Sequence, residues 1–181
     1  REKNTIGPFE CFGSNEAGSI KLREDKKIML SNNLDWSCLS LTEMEPRQLF
    51  ELFKIRQEVF VIEQSCIYPD IDKYDLSCWH LLGYGFDLEL HAYCRLLKPG
   101  GAYEEPTIGR VFVVKEYRGL GLARNLMSEA HRRCESMLGS KTIRLNAQVY
   151  LQKFYESIGY KSVSLPYDED GIMHIEMLRI G

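Results

Sequence analysis

The 181-residue sequence has no apolar run near the roughly 20 residues that a membrane-spanning helix needs, so no membrane partner is expected. Its first residues, REKNTIGPFECFG, hold no apolar core of the kind a secretory leader carries. There is no excess of positive charge either. Lys and Arg total 23 against 26 Asp and Glu, a formal net charge of −3, which removes the electrostatic case for a nucleic-acid partner. The six cysteines form no Cys-x-x-Cys pair; Cys78 and His80 are spaced as two ligands, but no second pair at zinc spacing accompanies them, and no metal is expected. A chain this long does not need disulfide staples, so reduced, partly buried thiols in a cytoplasmic protein are expected. Repeats and low-complexity tracts are also lacking.

What is present is an ordinary globular composition, 44% hydrophobic and 27% charged, in a length that suits one domain. Residues 1–33 combine scattered glycines with the charged run KLREDKK and show no sustained periodicity, so they are expected to form a flexible extension ahead of a domain spanning 34–181. LDWSCLSL suits a first strand. In TEMEPRQLFELFKIRQEVFVIEQ, positions Leu49, Leu52, Phe53, Arg56, Val59 and Phe60 recur at three and four residues. This predicts one helix with an apolar stripe, with Pro46 in its first turn and Thr42 or Glu45 as cap. CWHLLGYGF and LELHAYCRLL predict a hairpin turning near Asp87, and TIGRVFVV a central strand. The strongest helix is expected from Gly119 onward, where Leu122, Leu126, Ala130 and Cys134 lie four apart and Gly139 supplies the stop. TIRLNAQ reads as a strand, VYLQKFYESIG as a short helix, and YKSVSLPY and MHIEMLRI as two strands around the turn DEDG. The order predicts an α/β or α+β fold with a mixed sheet, and the terminal strand is a candidate for pairing across a homodimer.

The chemistry centres on Arg118-Gly119-Leu120-Gly121-Leu122-Ala123, two glycines where a strand gives way to a helix. A phosphate-binding P-loop would need a lysine and a hydroxyl residue where Leu122 and Ala123 stand. A dinucleotide fingerprint would need a third glycine at Arg124 and an acidic residue closing the next strand, and RLNAQ has none. Two readings remain: a turn that only shapes the chain, or one whose free helix-start amides face a diphosphate. In the second, Arg118 either reaches a phosphate or fixes the loop.

Arg-x-x-Gly-x-Ala after an apolar strand resembles the coenzyme A signature of the GCN5-related N-acetyltransferase (GNAT) family. LQKFYESIGYK is similar to that family's second landmark, at the separation the family uses. RQEVFVIEQSC, WHLLGY, AYCRLLKPG and DGIMHIEM resemble the ElaA-type branch, and the likeness runs from about Leu34 to Ile180.

The resemblance implies a mainly antiparallel mixed sheet whose two central parallel strands splay apart, flanked by helices. It implies acetyl-CoA as co-substrate, without a metal, and transfer of the acetyl group to a primary amine of a small molecule or protein. Phe112 and Val113 would offer backbone groups to the pantetheine. Arg118, Gly119, Leu120, Gly121, Leu122 and Ala123 would hold the pyrophosphate. Tyr155 would protonate the leaving thiolate, and Gln148, where the family commonly has asparagine, would touch the pantetheine less directly. For the base, His174 ranks ahead of His80, with Glu63 and Glu176 nearby; the aspartates of YPDIDKYD would draw in a cationic amine or simply be solvated. Two alternatives are carried, a non-catalytic acyl-CoA-binding module and an enzyme like the acyl-homoserine lactone synthases.

Overall fold

The computed structural model describes residues 34–181; the expected extension lies outside the described residues. Eight strands, β1 (Asp35–Leu39), β2 (Trp79–Tyr84), β3 (Leu90–Leu97), β4 (Thr107–Val113), β5 (Ile143–Gln148), β6 (Tyr160–Ser162), β7 (Tyr167–Glu169) and β8 (Ile172–Arg179), form one sheet. Its order is β1-β2-β3-β4-β5-β8-β6, with β7 also on β8, and every pair is antiparallel except β4 with β5. Three α-helices, α1 (Pro46–Arg56), α2 (Leu122–Leu138) and α3 (Gln152–Glu156), complete the α+β architecture.

Alternation along the strands builds two cores. Leu81, Cys94, Leu145, Ala147, Ile175 and Met177 pack with the α2 stripe, whose Leu122, Leu126, Ala130 and Cys134 are at most 1% exposed. Leu82, Tyr93 and Phe112 face the other way and pack with Leu52, Val59 and Phe60. Gly139 ends α2 in the left-handed conformation at φ 69°.

The predicted first helix begins as expected, with Pro46 in its first turn and a reciprocal cap between Glu45 and Gln48. It does not run on as an α-helix: residues Gln57–Ile62 form a π-helical stretch. The wider turn shifts the register of Val59 and Phe60 relative to Leu52 while Arg56 stays fully buried.

Between β3 and β4, Tyr93 opposes Phe112 and Arg95 opposes Gly109, so Cys94 faces two residues, Arg110 and Val111. This is a β-bulge, and Arg110 adopts φ 52°, unusual for a residue with a side chain. A bulge bends its strand. β4 and β5 pair only where Thr107 meets Arg144, and beyond that point they diverge.

β8 is paired on both sides, by β5 along 143–148 and by β6 and β7 at its two ends. Between those ends Val163 N–H bonds the Glu176 carbonyl and Glu176 N–H bonds Ser164 Oγ. The terminal strand therefore has no free edge for the anticipated pairing across a dimer.

Candidate active site

The divergence of β4 and β5 opens a cleft of about 680 Å³, walled by β4 residues 108–113, by Leu145 and Gln148 of β5, and by the π-helical stretch. A hollow of about 270 Å³ continues it over Gly119 and Gly121, sharing Val113, Arg118, Ala123 and Phe154 with the larger space.

Gly119 and Gly121 hold φ 79° and 84°, and a Cβ added to either would meet nothing within 4 Å. Glycine is thus required by the backbone conformation, and the space above the loop is open. Gly121 is the N-cap of α2 and brings no side-chain cap, so the first amides of that helix, those of Leu122 and Ala123, lack a capping acceptor. The donor set suits a diphosphate. Leu122 is buried in the core, and Leu120 does not border the hollow. Of the two roles open to Arg118, the structure shows loop fixing: Nε donates to the Val113 carbonyl at 2.8 Å, and Nη1 pairs with Glu63 Oε2 at 2.8 Å.

Backbone direction separates the two expected β4 positions. Val114 N–H bonds the His91 carbonyl at 2.9 Å, which turns Val113 toward the cleft and commits Phe112 to β3. Alternation therefore puts Val111 and Val113 at the free edge, correcting the expectation for Phe112. Its ring packs against Phe60 and Tyr93, with centroids 6.0 Å and 5.3 Å away.

Tyr155 is 5% exposed, lines the cleft and packs edge-on against Phe154 and Tyr160. Its hydroxyl has no hydrogen-bond partner among the described residues. Burial, then the nearby Cys94, pushes the phenol well above the ordinary tyrosine value, so it stays protonated through the neutral range.

His174 and Gln148 are cross-strand partners at the cleft, one on β8 and one on β5. The Ile172 carbonyl lies 2.8 Å from His174 Nδ1; only an N–H can serve there, which leaves Nε2 as an acceptor. Gln148 Nε2 donates to Gln64 Oε1 at 3.0 Å.

The other base candidates are committed elsewhere. His80 is fully buried, 2.7 Å from Tyr93 Oη and 3.1 Å from the Asp75 carbonyl; desolvation lowers its pKa, and it does not border the cleft. Glu176 pairs with Arg144 at 2.9 Å, and Glu63 with Arg118.

The loop aspartates are not free to draw in an amine, because each is paired with arginine. Asp70, Asp72 and Asp75 are matched by Arg56, Arg95 and Arg110 in a charge-balanced network: Arg56 meets Asp70 at 2.8 Å and Asp75 at 2.6 Å, Arg95 meets Asp72 at 2.7 Å, and Arg110 meets Asp70 at 2.7 Å. Cys78 and His80 lie beside Asp75, but two guanidiniums already occupy that carboxylate, and burial pushes the Cys78 thiol up to about 12. That donor set does not fit a cation. The described cysteines are free thiols, and Cys66 donates to the Asp170 carbonyl at 3.4 Å, joining two lips of the cleft. No helix of the described residues is long and apolar enough to cross a membrane.

Residues 90–179 match the acetyltransferase (GNAT) domain. The chain is 42% identical over 148 residues to Protein ElaA of Escherichia coli, covering 81% of this chain and 96% of that protein. The crystal structure of E. coli ElaA superposes with a TM-score of 0.75 at 41% identity, covering 81% and 99% of the two chains. An acyl-CoA N-acyltransferase from Pseudomonas aeruginosa superposes at 0.76 with 38% identity and coverages of 81% and 99%. A CoA-dependent acyl-homoserine lactone synthase, BjaI, reaches 0.66 at 16% identity over 81% and 82% of the chains, a likeness of fold alone. With a splayed strand pair, a glycine turn at a helix start and these relatives, the chain belongs to the GNAT family of acyltransferases, in the branch that includes ElaA.

Proposed function

We propose that the protein transfers the acetyl group of acetyl-CoA to a primary amine of a small molecule or protein, by direct attack of the amine on the thioester. The observation that carries this reading is that one cleft holds Val113, Ala123, Tyr155 and His174 together. Acetyl-CoA supplies the activated acyl group; the rest is work for side chains and amides of this chain.

The amides at the start of α2 hold the pyrophosphate, and the free edge of β4 at Val111 and Val113 pairs with the pantetheine as with an added strand. Val113 N–H, directed into the cleft, stabilises charge growing on the acyl oxygen. His174 Nε2 takes a proton from the ammonium form of the acceptor. The C–N bond then forms as the C–S bond breaks, the Tyr155 hydroxyl delivers its proton to the departing sulfur, and the new amide nitrogen sheds its surplus proton to water, from which the Tyr155 phenolate is reprotonated. A thiol has an ordinary pKa near ~8.5, so a phenol pushed upward is a weak acid here and its contribution depends on contact with the thiolate. Gln148, tied to Gln64, borders the acceptor side. A cytoplasmic setting is supported by the free thiols of the described residues.

Calorimetric titration with acetyl-CoA, followed by a thiol-release assay across a panel of amines, tests the proposal. Heat on binding and amine-dependent release of free thiol are expected. Binding without release would make the protein an acyl-CoA-binding module, and a lactone formed from S-adenosylmethionine would make it a synthase. The absence of binding would end the proposal.

A further inference from the structure

The charges around the cleft do not cancel evenly. Glu63 is matched by Arg118, and Arg110 by Asp70. Glu169 and Asp170, also at the cleft, have no guanidinium or ammonium partner among the described residues; the nearest basic group to Glu169 is His174 Nδ1, at 3.8 Å.

Their placement follows from the short β7–β8 hairpin. Tyr167 opposes His174 and Glu169 opposes Ile172, so strand alternation sets Glu169, Ile172 and His174 on one face, toward the cleft. Asp168 opposes Met173 on the other face, and Asp170 sits in the turn at φ 54°. The Cys66 hydrogen bond to the Asp170 carbonyl fastens this turn to the opposite lip. Burial, then the charge of Glu169 with contributions from Tyr103 and Glu176, pushes the Tyr167 phenol up to about 12. The same cleft is lined by Tyr155, a residue only 5% exposed whose hydroxyl has no hydrogen-bond partner among the described residues, which marks the cleft as a place where a ligand completes the hydrogen bonding.

We propose that the acceptor is a small amine carrying a second cationic nitrogen, and that Glu169 and Asp170 hold that distant ammonium while the reacting amine meets His174. This rests on the acyl-transfer reading above for the reaction, but not for the binding. A monoamine leaves two carboxylates facing the cleft without a counter-charge, and a diamine supplies one. The pair acts through attraction and orientation, so its effect falls on KM more than on kcat and weakens as salt screens it.

The test compares 1,4-diaminobutane with 1-aminobutane, in turnover with acetyl-CoA and in calorimetric binding without it. The diamine is expected to show about tenfold higher kcat/KM, an advantage that shrinks in 0.5 M salt. In Glu169→Gln combined with Asp170→Asn the ratio of the two kcat/KM values falls to about one, and Glu169→Asp restores part of it. Both residues are exposed, and an unchanged unfolding midpoint shows that the variant is folded. Turnover of both amines at equal kcat/KM overturns the proposal and leaves acyl transfer standing. Diamine binding that needs the two carboxylates, without turnover, sustains the proposal while acyl transfer falls. Equal or undetectable binding of both amines, without turnover, overturns both.

Discussion

Replacing Tyr155 by phenylalanine separates chemistry from packing in this protein. The ring sits 5% exposed between Phe154 and Tyr160, at centroid distances of 5.1 and 5.8 Å, and these contacts survive the change. The hydroxyl has no protein partner among the described residues, so its removal breaks no hydrogen bond. The unfolding free energy is therefore expected to move by no more than about 0.5 kcal/mol. Turnover is expected to behave differently. Loss of a positioned acid costs on the order of 100-fold in kcat, equivalent to about 2.7 kcal/mol of barrier. Because burial keeps the phenol protonated well past neutrality, the ratio of wild-type to variant kcat is expected to stay constant from mildly acidic to mildly alkaline pH. Initial rates of thiol release at saturating acetyl-CoA and amine, paired with urea unfolding, measure both quantities. A kcat within threefold of wild type would refute the acid role and assign the proton to water. A loss of stability above about 1 kcal/mol would show instead that the hydroxyl has a structural partner.

Three further outcomes are expected. Gly121→Ala forces a side chain onto φ 84° without a steric clash, costing about 1 kcal/mol of local strain; calorimetry should show roughly fivefold weaker acetyl-CoA binding, and unchanged affinity would exclude the loop as the diphosphate site. Arg118→Met releases the Val113 carbonyl and Glu63 together, and KM for acetyl-CoA should rise about tenfold; an equal loss in kcat alone would place the arginine at the reacting atoms instead. Asp75→Asn strips a carboxylate from two buried guanidiniums and should destabilise the fold by about 3 kcal/mol, read from chemical denaturation. Burial alone would raise the Asp75 carboxyl, but the hydrogen bonds from Arg56 and from the Asp72 amide, with the charges of Arg56 and Arg95, reverse this and hold it below its ordinary value. Its stabilisation is thus present above about pH 4 and fades as pH falls further, so wild type and variant should converge in acid.

Helices and strands with clean periodicity were legible in the sequence. The four-residue spacing from Leu122 to Cys134 and the stop at Gly139 match α2, and the glycine turn lies where the motif placed it. The bulge was not legible: nothing in TIGRVFVV marks Arg110 for a left-handed conformation, because the cause is tertiary, a guanidinium held by Asp70 from a distant loop. That error carried into Phe112, since edge direction depends on the register either side of the bulge. The loop aspartates were misread because their partners come from three separate elements. One signal was available. Arg56 occupies an apolar-stripe position, and a charged residue buried there requires a counter-ion such as the loop that follows. Gln64 and Cys66 carry no local pattern at all, and their roles emerge only when β5 and the β7–β8 turn arrive beside them.

β7 is three residues long, pairs with no strand but β8 among the described residues, and lies off the main path of the sheet. The glycine turn and the free edge of β4 belong to other parts of the chain. On the acceptor reading proposed above, exchanging residues 167–172 of this peripheral hairpin while keeping His174 would graft a new preference for acceptors onto an untouched donor apparatus, which makes that short stretch the natural cassette for retargeting such an enzyme.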